Sequence, residues 1–334
     1  MENKDLLGIG QAFGQSIPVK KLLSILEKFG GRAFKPLNDL IDANTEAYKI
    51  KKLADAKAYE VVTLEKANTS ALVNRTDAEQ NLLEKASVRL VQQEIRRQEN
   101  LDAINQIAFD EIRDEAQISE EPVSDDWASR FFSIAQDISD EEMRQLWGRV
   151  LAGEIKQPNS YSLRTLELLK NISKVEAETF LKFAKHSVRV TTGQSIIINN
   201  NELIEKSGIE FTDILLMEEI GLISSKDNLS YSIGLKKEPY TFAIIQGNKG
   251  LLVDLDGINN PVNLEVLSFT KPGLELLSLV KTEANDEHLK EVGKLIKAGM
   301  EGRRVRFGSF IEHDGQLKFP VLEDIPAARV EDLS

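Results

Sequence analysis

The stretch Ser124 to Thr165, SDDWASRFFSIAQDISDEEMRQLWGRVLAGEIKQPNSYSLRT, holds both tryptophans of the chain and two consecutive helix starts. Ser124 stands before Asp125 and Asp126, a hydroxyl cap followed by carboxylates that suit the free N–H groups and positive dipole end of a helix. Trp127, Phe131 and Ile134 then fall at i, i+4 and i+7, which places them on one buried stripe. Ser139 to Glu142 reads as a reciprocal capping box, so a second helix is expected there. It carries Met143, Leu146, Trp147, Val150 and Leu151 on one side, and Gly153 with Pro158 is expected to stop it. Two apolar stripes joined by a short turn form an αα-hairpin. Both tryptophans are expected inside it.

The same residues carry a family resemblance. The run Asp137 to Met143, continued by Leu146 to Glu154 and then by Pro158, Ser160, Tyr161, Ser162, Arg164 and Thr165, resembles the signature of the bacterial domain-of-unknown-function 2806 family. The match is dense over residues 124–183. Members occur in bacterial chromosomes and prophages, and a related helical signature occurs in abortive-infection alpha proteins of phage defence. The resemblance therefore implies a prophage or phage-defence setting. It supplies no catalytic residue.

A chain of 334 residues with 41% hydrophobic content can build two or three cores. It has no cysteine, which excludes disulfides, thiolate catalysis and sulfur-ligated zinc, and a cytoplasmic setting is expected. No run approaches the roughly 20 apolar residues needed to span a bilayer. The net charge of −12 opposes nonspecific binding to nucleic acid or anionic lipid. Two basic islands interrupt it. Residues 1–36 set Lys4, Lys20, Lys21, Lys28, Arg32 and Lys35 against Glu2, Asp5 and Glu27; residues 290–306 set Lys290, Lys294, Lys297, Arg303, Arg304 and Arg306 against Glu291 and Glu301.

Five segments follow from composition and patterning. Residues 1–36 form a basic, amphipathic N-terminal segment. From Pro18 it carries Val19, Leu22, Leu23, Ile25, Leu26 and Phe29 at helical spacing, and it docks on a core or lies on the inner membrane surface through residues 5–34. Residues 37–118 lack proline and glycine from Asn38 onward and read as a long helical arm or hairpin. A break is expected over Asn68 to Thr76, with a fresh capping box at Thr76 to Glu79. Leu83, Ala86, Leu90, Leu101, Ile104 and Ala108 give this arm a partial stripe for self-association or packing.

Residues 119–190 form the helical signature domain, extended by a helix from Ser162 to Asn171 and by one opened at the Ser173 to Glu176 capping box. Residues 191–282 change character. A β-branched run Ser195 to Ile198, short helices Glu202 to Ser207 and Phe211 to Ile220, strands at 222–224, 229–235, 240–245, 251–255 and 266–269, and a returning helix 274–280 give the order of a winged helix. Residues 283–334 read as a charged helix, Asp286 to Met300, with an acidic tail. Arg303, Arg304 and Arg306 are expected to be its solvated C-terminal end or a cluster for an acidic surface or a phosphate. The fold class is thus mainly α with a C-terminal α+β part.

For chemistry the chain offers little. His186, His288 and His313 have no second ligand at i+3 or i+4. No phosphate loop, nucleophile elbow or kinase motif occurs. Asp125, Asp126, Asp137, Asp140, Glu141 and Glu154 compose the one acidic set from which a magnesium-dependent nuclease reading can be drawn. Four of these already serve helix N-termini, and Arg149 with Glu154 is expected to close a turn as an ion pair. No catalytic, cofactor-binding or metal-binding residue is therefore assigned, and no small-molecule substrate is expected. A DNA reading through the winged-helix-like part is disfavoured, because Asp213, Glu218 and Glu219 are the only charges between Phe211 and Ser225, with lysines only at 226, 236, 237 and 249. The leading expectation is a non-enzymatic interaction or sensor protein that oligomerises through its arm.

Overall fold

The computed structural model describes residues 17–29, 77–115, 118–191, 193–225, 229–233, 240–255, 262–299, 304–313 and 316–326. The expected helix before Asn68, the break at 68–76 and the Thr76 cap lie outside them. The chain divides into two compact units, Met1–Leu166 and Glu167–Ser334.

In its described residues the first unit is helical: α1 (Ile17–Phe29), α2 (Asp77–Ile112), α3 (Asp125–Ala135), α4 (Glu141–Lys156) and the start of α5 (Leu163–Asn171). At about 1.5 Å per residue, the 36 residues of α2 extend about 54 Å. Its C-terminal half is core: Ile104, Ala108 and Ile112 are fully buried. Its N-terminal half is exposed at Leu82, Leu83 and Leu90. Gly148 lets α2 and α4 approach closely, since a Cβ there would lie 2.4 Å from the Ile107 side chain.

Helix α1 buries Val19, Leu22 and Leu26 completely and packs on α2, α3 and α4. Its lysine face also takes part. Lys21 Nζ donates to the carbonyls of Ser119 (3.1 Å) and Ile155 (3.2 Å). Burial lowers the Lys21 pKa, against the opposing pull of Glu121 and Glu154. The apolar stripe of this basic helix is thus occupied by the protein's own core.

The second unit is α+β. It contains α6 (Lys174–His186), β1 (Val188–Val190), β2 (Ser195–Ile198), α7 (Asn201–Ser207), α8 (Phe211–Glu219), β3 (Ile223–Ser224), β4 (Ser230–Ile233), β5 (Tyr240–Gln246), β6 (Lys249–Leu255) and β7 (Val262–Phe269). There follow α9 (Lys271–Leu277), α10 (Asp286–Ala298), β8 (Val305–Ser309), β9 (Ile311–His313), β10 (Gln316–Lys318) and β11 (Glu323–Asp324). Nine strands form one antiparallel sheet in the order β11, β8, β6, β5, β1, β2, β7, β3, with β4 also on β7. Alternation sends Val188, Val190, Ile244, Leu251, Val253 and Val305 to one face, where Leu289, Val292 and Ile296 of α10 complete the core. Strands β9 and β10 make a separate hairpin.

Several sequence expectations change here. The cap of α4 is Asp140, whose side chain accepts from Met143 N at 3.0 Å, and not Ser139. A carboxylate one residue nearer the helix meets the Met143 N–H in place of the Glu142 N–H that Ser139 would have capped, and charge strengthens the bond. Gly153 does not stop α4, which continues to Lys156. It is a glycine because the Tyr161 ring packs on it, 2.8 Å from where a Cβ would stand. The capping box at Ser173 and Glu176 is present as expected. Arg304 and Arg306 belong to the β8 region and not to a helix end: Arg304 pairs with Asp324 at 2.8 Å and Arg306 with Asp254 at 2.8 Å.

Candidate functional site

The densest motif of the chain folds into the junction of α3, α4 and the loop that follows α4. Ser124 caps α3 by position only, with no side-chain bond, and Asp125 and Asp126 occupy its first turn. Trp127 is 4% exposed and Trp147 0%. Phe131 joins them: it stacks on Trp127 with centroids 5.0 Å apart and planes 15° from parallel, and lies 5.3 Å from Trp147 at 51°. Trp127 Nε1 donates to the Tyr161 carbonyl at 2.7 Å. The first tryptophan thus ties its helix to the loop as well as filling the core.

Glu154 is the second tie. The residue is 1% exposed, yet it sits in the last turn of α4, two residues before Lys156, at the negative end of the helix dipole. Its two oxygens accept from Asn159 N at 2.7 Å and Tyr161 N at 3.0 Å. Asn159 has a φ of 70°, in the left-handed region that asparagine tolerates better than most residues. That turn aims both N–H groups back at the carboxylate. Pro158, Asn159 and Tyr161 of the signature therefore serve one loop geometry, which Glu154 clamps and Trp127 closes.

This arrangement separates the residues of the nuclease reading. Asp125 pairs with Lys28, Asp137 with Arg97 Nε at 2.8 Å, and Glu141 with Arg144 at 3.5 Å. Asp140 caps a helix and Glu154 holds the loop. Among the described residues, no three His, Cys, Asp or Glu side chains come together to hold a metal. The expected turn closure by Glu154 is made with backbone N–H groups, a partnership that sequence spacing alone does not show.

Histidines separated by 102 residues do meet. His186 and His288 lie edge to face with ring centroids 5.1 Å apart, and His288 Nε2 donates to the His186 carbonyl at 3.2 Å. Gln246 seals the place by donating to the carbonyls of Lys185 (2.8 Å) and Ser187 (3.0 Å) while accepting from Asn285 N (2.8 Å). Burial, helped by the neighbouring His186, pushes the His288 pKa down to about 4. A neutral His288 ring at a helix start, bonded to a backbone carbonyl, is structural chemistry.

Helix α8 turns different residues outward. Phe211 is 72% exposed and Leu215 48%, one helical turn apart, while Met217 is fully buried. Glu210 and Glu219 are exposed at its two ends, and Asp213 is taken by Lys182 at 2.9 Å.

These features define a class: a helical unit followed by an α+β unit, in which the most distinctive sequence motif is a loop clamp. Over residues 84–293 the chain matches the model of a family described as a protein of unknown function, DUF2806. That range takes in well over half of the chain, and the protein belongs to this family. No curated protein and no solved structure matches it. No described helix is long and apolar enough to cross a membrane.

Proposed function

We propose that the protein is a non-enzymatic interaction or sensor protein that self-associates through the N-terminal half of α2 and presents α8 to another protein. The observation that carries this reading is the exposure of Leu82 (69%), Leu83 (38%) and Leu90 (55%) on a helix whose other half is core. Exposed leucines in this number on one solvent-facing stretch lose little solvation on pairing and gain apolar burial. The phage-defence setting belongs to this proposal and rests on the resemblance of the signature alone.

A test by deleting residues 1–118 would remove Leu22, Leu26, Ile104 and Ile112 from the core and so confound folding with assembly. The double substitution Leu83→Glu with Leu90→Glu leaves the core intact. Light scattering is expected to give an oligomer for the natural chain and a monomer for this variant. Equal masses for both would refute self-association through α2.

A winged-helix reading of the second unit has topological support. With β1 set aside, the order α6, β2, α7, α8, β3 and β4, β7 is compatible with a winged helix, and so is the place of β7 between β2 and the pair β3 and β4. Strands β5 and β6 would then be an insertion within the wing. The surface of α8 favours protein over DNA, since phosphate would meet Phe211, Leu215, Glu210 and Glu219 where a reading helix needs amides and cations. Gel retardation at low salt is expected to show no complex with duplex DNA.

A further inference from the structure

The face of the sheet turned away from α10 is only partly covered. On β1 the core takes Val188 and Val190, so Arg189 points to the opposite face; register places Ser195 on one side of it and Ile245 on the other. Ala243 and Leu252, a cross-strand pair, share that face. Two cavities lie over it and meet at Arg189 and Ile245. One, about 270 Å³, runs under the β9–β10 hairpin between Ala243, Leu252, Leu317 and Phe319. The other, about 310 Å³, is bounded by Ser195, Leu274 and Leu277 beside α9.

The hairpin is held lightly. Its strands pair with each other alone, and β9 is exposed along its whole length. Phe310 and Phe319 meet at its base with centroids 5.6 Å apart. Glu312 reaches from it to Arg189, Oε2 to Nη2 at 3.1 Å, with both side chains 46% exposed. An ion pair this open to water contributes about 0.2–1 kcal/mol, so another carboxylate can replace it at small cost. The protein thus already seats one carboxylate on Arg189 at the mouth of a cavity whose walls are Ala243, Ile245, Leu252, Leu317 and Phe319, with Thr191 and Thr241 as its neutral polar side chains.

We propose that this groove is a binding site for a small amphiphilic carboxylate. The ligand's head group takes the place of Glu312 on Arg189, and its apolar body lies along Ala243, Ile245 and Leu252 beneath Leu317 and Phe319. At about 30 Å³ per non-hydrogen atom, the cavity under the hairpin holds a chain of roughly nine such atoms. A cationic amphiphile of the same length would face Arg189 with like charge. The ligand site does not depend on self-association through α2, so uptake of the ligand by a monomeric protein is compatible with it.

Calorimetric titration with decanoate tests it on the full chain. Saturable uptake of one decanoate per chain is expected, with none of decyltrimethylammonium. Arg189→Gln should weaken uptake at least about tenfold, because the charged fork is lost. Glu312→Gln should tighten it about 1.4- to fivefold, because the internal competitor is lost and its worth converts to that factor. This opposite pair of shifts distinguishes a ligand site from a simple hairpin latch, for which both substitutions would act alike. Absent or unsaturable uptake, indifference to both substitutions, or weakening by both would overturn the proposal. Thermal midpoints of the two variants within a few degrees of the natural chain verify that folding is not what changed.

Discussion

Replacing Glu154 by glutamine tests the clamp with a change of one atom. In the protein each carboxylate oxygen accepts one backbone N–H, from Asn159 and from Tyr161. Glutamine keeps one acceptor and turns two N–H hydrogens toward the other donor. One charge-assisted bond is lost and one buried N–H is left unmet, a cost of about 2–4 kcal/mol. In a unit of this size, about 2–4 °C of midpoint accompanies each kcal/mol, so a fall of about 4–16 °C is expected. Trp127 and Trp147 are the only tryptophans and both lie in the first unit, so the fluorescence unfolding curve reads that unit alone. Glu141→Gln is the control: that carboxylate is 74% exposed, and its loss should cost less than about 0.5 kcal/mol. A Glu154→Gln midpoint indistinguishable from that of Glu141→Gln would refute the clamp.

Three further outcomes are expected. Gly148→Ala must push α2 from α4, because the added Cβ would lie 2.4 Å from Ile107 Cγ2; urea titration should show a loss of about 1–3 kcal/mol. Trp127→Phe should destabilise by more than its lost volume, since the Tyr161 carbonyl then loses its 2.7 Å donor; a double-mutant cycle with Glu154→Gln should show coupling through the shared loop, and strict additivity would contradict this. For His288, the folded pKa of about 4 lies below the ordinary value of 6.5. The unfolded chain therefore binds the proton first, and the stability contributed by the neutral ring is complete above 6.5 and lost as pH falls toward 4. Between pH 7 and pH 5 the second unit should lose about 2 kcal/mol by circular dichroism, and His288→Gln should remove that part of the slope.

Local rules carried much of the fold. The Ser173 and Glu176 box, the Asp125 and Asp126 helix start and the apolar stripe of α1 each depend on neighbours within a few residues. What escaped depends on distant partners. Strand β1 is three residues with an arginine at its centre, and becomes a strand because β2 and β5 flank it. Strands β8 and β11 hide in a basic and acidic tail, because Arg304 meets Asp324 and Arg306 meets Asp254 only across neighbouring strands. For the signature, spacing showed that Trp127 and Trp147 face inward. The role of Glu154 required the left-handed turn at Asn159, for which the Pro158 and Asn159 pair was the available signal. The His186 and His288 contact had no local signal.

The family signature is internal structure, with its two indoles closed off from water. Acrylamide quenching of tryptophan fluorescence in the native protein tests this directly. A quenching constant several-fold below that of the same protein in urea is expected. Equal constants in the two states would place the indoles at an open surface and contradict it.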